Sequence, residues 1–148
     1  MGNFEYIDIS GDVGLRAFGS TLKEAFLNAS LGMYSLITNL DSIAVEKTAA
    51  LSVESHSLDG LLVSWLNELI FRFDTYGFIG KKVTIDTLEC DTGNRAGLNT
   101  CKLSAVIEGE EFDPGRHEGK FLIKAATYHR LRIEKTDGQW EISVIFDI

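Results

Sequence analysis

Proline is nearly missing from this 148-residue chain, occurring once, at Pro114. With 45% hydrophobic and 24% charged residues, the chain stands apart from disordered and fibrous classes. No apolar run approaches the length that spans a bilayer, and the opening "MGNFEYIDIS" lacks a basic region followed by an apolar stretch and a cleavage site. Tyr6 stands where a myristoylation signal needs Ser or Thr. The reading is a soluble, cytoplasmic protein without a membrane partner. Positive charge is also short: 14 Lys and Arg against 22 Asp and Glu leave a net charge of −8. That excludes a free-standing nucleic-acid reader, whose affinity rests on a basic stripe that neutralises phosphates. If RNA enters the function, a partner holds it. The densest basic stretch, "YHRLRIEK", puts Arg130 and Arg132 on one face of an expected strand beside Glu134, a solvated strand face. Cysteine occurs twice, at Cys90 and Cys101, bracketing "DTGNRAGLNT" so that the two could meet across a hairpin. In a cytoplasmic chain two reduced thiols are expected, and without a His partner they make no zinc site.

What is present fits one domain, residues 1–148, with a single sizeable core. "FEYID" and "VGLRAFG" read as strands joined by the turn-compatible "ISGD". A helix starts near Thr21, where Thr21 and Glu24 form a capping box before the apolar face of Leu22, Phe26, Met33 and Ile37. "IAVEKTAALSVES" has strand-like ends, Ala44 to Lys47 and Leu51 to Glu54. The strongest periodicity runs from Leu58 to Phe73, with Ser57 as N-cap and Gly77 past the end. Four strands follow, "KKVTIDTLEC", "NTCKLSAVIEG", "KFLIKAATYHRLRIEK" and "QWEISVIFDI", the last two joined by the hairpin pair Asp137 and Gly138. The order predicts an α+β fold, with two helices on one face of a largely antiparallel sheet.

The end, "SVIFDI", halts inside a strand pattern with Asp147 followed by the carboxylate of Ile148. Chain ends fray unless tied down, and two adjacent carboxylates point to a cation as the tie. For Asp12 the residues alone leave two readings open, a turn aspartate accepting backbone amides and a metal ligand. Asp8 reads as a surface strand aspartate or as a group supporting that site. Arg116 and His117 lie in "DPGRHEGK", an exposed polar loop or a partner contact. His129 reads as a strand histidine and His56 as part of a helix entry. No nucleophile elbow, phosphate-cradling glycine loop or Cys-His pair is present.

"DVGLRAFG", "LLVSWLNELIFRFD", "GEEFDPGRH", "IKAATYHRLRIEK" and the closing "VIFDI" occur in an order that resembles the archease family from end to end. The resemblance implies a duplicated strand-helix-strand-strand fold and a protein that is not itself an enzyme. It implies a cofactor of an RtcB-type RNA ligase in tRNA splicing or RNA repair, promoting the ligase's guanylylation by GTP and its repeated turnover. RNA would be met only through the ligase. A metal-dependent phosphoester hydrolase and a chaperone-like interaction module are the alternatives. The resemblance also implies a metal site at Asp12, Asp147 and Ile148, favouring the ligand reading of Asp12. Each close pair of carboxylates repels by about 4 kcal/mol at an effective dielectric near 20. A hard divalent cation, Ca²⁺ foremost with Mg²⁺ or Mn²⁺ as alternatives, turns that repulsion into attraction. The family commonly reads "DHTADVG" where this chain reads "DISGDVG", so Ile9 replaces a His and Gly11 an Ala; Glu118 stands where the family often has Pro.

Overall fold

The computed structural model describes residues 3–91 and 99–148. The chain opens with a hairpin, β1 (Phe4–Ile9) and β2 (Asp12–Gly19), turned at Gly11 with a left-handed φ of 82°. Helix α1 (Leu22–Ile37) starts at Thr21, whose hydroxyl accepts the Glu24 amide at 3.1 Å. The Glu24 carboxylate reaches back one residue further than the capping box predicts, to the Ser20 amide and hydroxyl. Strand β3 (Lys47–Ser55) takes in the expected strand-like end from Leu51 to Glu54, whereas Ala44 to Glu46 of the other expected end lie before it and are not strand. Helix α2 (Leu58–Tyr76) is capped by Ser57 and stopped by Gly77 in the left-handed region, φ 69°, where a β-carbon is disfavoured. Strands β4 (Phe78–Asp91) and β5 (Thr100–Glu111) form a long antiparallel pair. The remaining strands are β6 (Ala125–Ala126), β7 (Arg132–Thr136) and β8 (Gln139–Asp147). Asp137 and Gly138, both at positive φ, turn β7 into β8 as their residue types predict.

The strands divide between two antiparallel sheets, not the single sheet the element order suggested. One runs β1-β2-β8-β6, with β7 also on β8; the other runs β3-β5-β4. The second is a strand-helix-strand-strand unit in itself, whereas the first draws its strands from both ends of the chain. Helix α1 packs on β2 and β4, and α2 on β3 and β6, so the helix pair bridges both sheets. The inward rows Val13, Leu15, Ala17 of β2 and Ile142, Val144, Phe146 of β8 are buried, as the period of two requires. Among the described residues no helix is long and apolar enough to cross a membrane.

Two further expectations are corrected. "KFLIKAATYHRLRIEK" is not one strand. The Lys120 and Phe121 amides donate to the Ile37 and Leu36 carbonyls at 2.9 and 3.0 Å, capping the end of α1 instead of extending a sheet. After β6 the chain turns, with the Leu131 amide donating to the Tyr128 carbonyl, and this moves Arg130 out of the expected strand into a turn at φ 54°. The expected free thiols are a disulfide: Cys90 and Cys101 are direct register partners across the β4–β5 hairpin. That juxtaposition is what the spacing suggested, and it leaves the sulfurs within bonding reach. Most of the bracketed stretch, residues 92–98, lies outside the described residues.

Inside the core, Trp65 Nε1 donates to Ser30 Oγ at 2.8 Å, and Ser30 Oγ donates to the Phe26 carbonyl at 2.9 Å, linking the two helices. Trp65 and Ser30 are both fully buried. Ser30→Ala leaves the indole N–H without a partner, which costs about 1–3 kcal/mol. Urea unfolding of this variant is expected to show that loss, and an unchanged midpoint would mean that the indole is satisfied elsewhere.

Candidate functional site

Antiparallel pairing of β2 with β8 sets Val13 opposite Phe146 and Gly14 opposite Ile145. Carried one step beyond Val13 and Phe146, that register puts Asp12 across from Asp147. Asp147 is flanked on its other side by Ala125, and its carbonyl accepts the Lys124 amide at 2.8 Å. Because side chains alternate along a strand, Asp12 and Asp147 share the outward face with Gly14 and Ile145, while Val13 and Phe146 point into the core. Directly opposed residues hold their β-carbons about 4.5–5.5 Å apart. Asp147 is exposed and Ile148 is 38% exposed, so both are open to solvent at this edge. Of the three residues named from the sequence, Asp12 and Asp147 lie one step beyond the Val13–Phe146 pair, and Ile148 follows Asp147 in the chain.

The donor set is carboxylate oxygen at an open edge, the chemistry that suits a hard cation completing its shell with water. Among the described residues no three His, Cys, Asp or Glu side chains gather into one metal-holding group. Asp8 does not join the edge. It pairs with Val13, on the opposite face from Asp12, and lines a cleft with Tyr6, Ser35, Leu36 and Phe121.

A second polar cluster was only half visible in the sequence. Glu110, 1% exposed at the end of β5, accepts from both terminal nitrogens of Arg116, from the Ala44 amide and from His117 Nε2 at 2.9 Å. The Asp113 amide donates to His117 Nδ1 at 2.8 Å, so the ring proton sits on Nε2 and points at the carboxylate. Phe112 stacks on the imidazole at 5.3 Å and meets Phe73 of α2 edge-on. The Asp113 carbonyl accepts the Arg116 and His117 amides, which folds the loop back over Glu110. The exposed-loop reading therefore holds for Arg116, whose side chain is half exposed, but His117 is 3% exposed and turned inward. Glu110 itself was missed, although the turn-forming "DPG" between it and "RH" signals that the two segments fold together. Of the other histidines, His56 donates its ring N–H to the Asn99 carbonyl at 3.1 Å at the entry to α2, and His129 lies exposed in the turn after Thr127.

The chain matches the Archease protein family (MTH1598/TM1083) over residues 4–148. It is 34% identical over 151 residues to protein archease of Thermococcus kodakarensis, covering 100% of both chains. It is 32% identical over 145 residues to that of Methanosarcina acetivorans, covering 98% of this chain and 95% of the relative. The solution structure of Methanobacterium thermoautotrophicum protein 1598 superimposes with a TM-score of 0.80 at 30% identity, over 100% of each chain. The crystal structure of a Thermotoga maritima archease, titled a possible chaperone, shares the fold with a TM-score of 0.61 at 17% identity, over 96% and 94% of the two chains. These matches define an archease-type α+β protein. The chain belongs to the archease family.

The Arg116 guanidinium, followed by the Ala44 amide and then the His117 hydrogen bond, pulls Glu110 from 4.5 to about 2 against the opposing effect of burial. A carboxyl whose pKa is lowered on folding stabilises the fold above its unfolded value and loses that contribution as pH falls toward the folded value. The contribution of Glu110 is therefore complete above about 4.5 and is lost between there and about 2. Unfolding free energy measured by urea from pH 7 to pH 2 is expected to fall across that window in the parent and less steeply in Glu110→Gln. Parallel curves would show that Glu110 does not carry the acid sensitivity.

Proposed function

We propose that this chain is a protein cofactor of an RtcB-type RNA ligase, promoting its guanylylation by GTP and its multiple turnover, and that it acts through a divalent cation at the acidic edge. The observation that carries this reading is the β2–β8 register, which sets Asp12 beside Asp147 next to Ile148 in a chain of the archease family. Asp12, Asp147 and the carboxylate of Ile148 would hold the cation, Ca²⁺ or else Mg²⁺ or Mn²⁺, which when bound supplies a concentrated positive charge on an otherwise acidic surface. The residues supply the rest. The β2–β8 ladder fixes the spacing of Asp12 and Asp147, and their outward orientation leaves the edge open to a partner. Arg116, held against Glu110 with half its side chain exposed, is the second proposed contact. His117 serves that contact by fixing Glu110. The net charge of −8 supports an encounter in which RNA is met through the ligase and not by this chain alone.

The test pairs a binding readout with an activity readout. In the parent, added Ca²⁺ or Mn²⁺ is expected to raise the melting temperature, as any ligand of the folded state does. Asp12→Asn, Asp147→Asn and a short extension past Ile148 are expected to abolish that rise. Each is expected to weaken cation affinity by more than the about 10- to 100-fold that loss of a merely supporting group costs. Asp12→Asn and Asp147→Asn relieve like-charge repulsion, so neither is expected to melt lower than the parent without metal. Ligated RNA per ligase, with substrate in excess, is expected to rise with the parent and not with the variants. Equal yields with and without the parent would overturn the cofactor reading.

A further inference from the structure

Outward residues of the first sheet continue from the acidic edge in rows. Beyond Ile9, Asp12 and Asp147 lies the row Ile7, Gly14 and Ile145, and beyond that Glu5, Arg16, Ser143 and Arg132. Four residues along a strand span about 13 Å, so the arginine row lies about that far from Asp12. Gly14 keeps the middle row low, since a β-carbon there would come within 2.6 Å of Ile145 Cδ1. The result is a concavity of about 270 Å³ with isoleucine on its floor and Arg16, Arg130 and Arg132 on its rim. It is smaller than the about 300–1,000 Å³ of sites that enclose a small molecule, and its scale is that of side chains.

Its cations are not equivalent. Arg16 is paired with Glu5 at 2.6 Å and Glu141 at 3.3 Å, and Arg132 faces Glu134 at 3.6 Å. Arg130 has no ion pair or hydrogen bond from its side chain among the described residues. It also sits at φ 54°, where a side chain is disfavoured and glycine or asparagine fits better. The backbone of this turn gains nothing from arginine, so the guanidinium at the rim is the reason to look for a role.

We propose that this face docks a segment of a protein partner that presents one carboxylate to Arg130 and, beside it, an aliphatic side chain to Ile7 and Ile9. A guanidinium takes a carboxylate through two parallel hydrogen bonds. A nucleic-acid strand fits the face less well. Its repeated phosphates would meet Glu5, Glu134 and Glu141 as well as Asp12 and Asp147, on a chain of net charge −8. A single carboxylate on a polypeptide reaches Arg130 without that repulsion. The inference rests on the ligase-cofactor reading, which names the partner to test.

The experiment measures affinity of the full chain for its cognate RtcB-type ligase by interferometry at several salt concentrations, using the parent, Arg130→Gly and Ile9→Glu. Arg130→Gly is expected to melt at or above the parent temperature while binding the ligase at least tenfold more weakly and with a shallower salt dependence. Ile9→Glu, which puts a carboxylate in the trough, is expected to weaken binding at least as much. Parent-like binding by both variants would overturn the docking face and leave the cofactor reading standing. No binding by the parent would overturn both. A labelled single-stranded RNA serves as the second probe: RNA affinity lost in Arg130→Gly, with ligase affinity unchanged, would assign the face to RNA and overturn the proposal.

Discussion

The pairing of β2 with β8 is the constraint on which the rest of the molecule depends. It joins a strand near the start of the chain to the last one, with Val13 on Phe146 and Gly19 on Trp140. Its inward rows supply much of the core floor beneath α1. Its outward rows carry Asp12, Arg16, Glu141 and Asp147. A slip of one residue would send Leu15 and Val144 to solvent and Asp12 and Asp147 into the core, an exchange of buried apolar for buried charged groups that no fold of this size tolerates. The register that buries the core is thereby the register that assembles the acidic edge.

The second sheet is tied to this frame by polar contacts as well as by the helices. Glu110 at the end of β5 holds the segment before β3 through Ala44 and the loop after β5 through Arg116 and His117. Beyond that loop, Lys120 and Phe121 close the end of α1, and Asn67 of α2 brackets Ala126, accepting its amide at 2.8 Å. The chain between the two sheets is thereby fixed at both of these points, and it delivers β6 against Asp147. A buried carboxylate with this many donors is stable as an ion, which is why its pKa lies far below the ordinary range.

Much of the fold was legible because its signals are local. Thr21 and Ser57 cap helices by hydrogen bonds spanning three residues, Gly77 stops one, and Asp137 with Gly138 turns one hairpin. Each depends on neighbours in the chain, and each stands where its residue type predicts. The division into two sheets depends on which strands meet at long range, and alternation alone does not encode that. The break before β6 was hidden because Lys120 and Phe121 bond to a helix end 83 or more residues earlier in the chain, leaving a strand-like pattern with no strand partner. At the acidic edge the residues were named only through family motifs, because nothing local in the sequence says that the strand after Asp12 pairs with the strand before Asp147. Glu110 escaped notice because an isolated glutamate at a strand end looks solvated until its partners are known.

The proposed cation site would be built by one strand register from residues at the two ends of the fold. Mn²⁺ broadens nuclear resonances by proximity, so a titration of the ¹⁵N-labelled chain followed amide by amide reads the location of the ion directly. The account predicts that Gly11, Asp12 and Val13 lose intensity together with Phe146, Asp147 and Ile148 at the lowest Mn²⁺ concentrations. Under the same conditions Glu110, Arg116 and His117 should keep theirs. Early loss around Glu110, or loss at only one of the two chain segments, would contradict it.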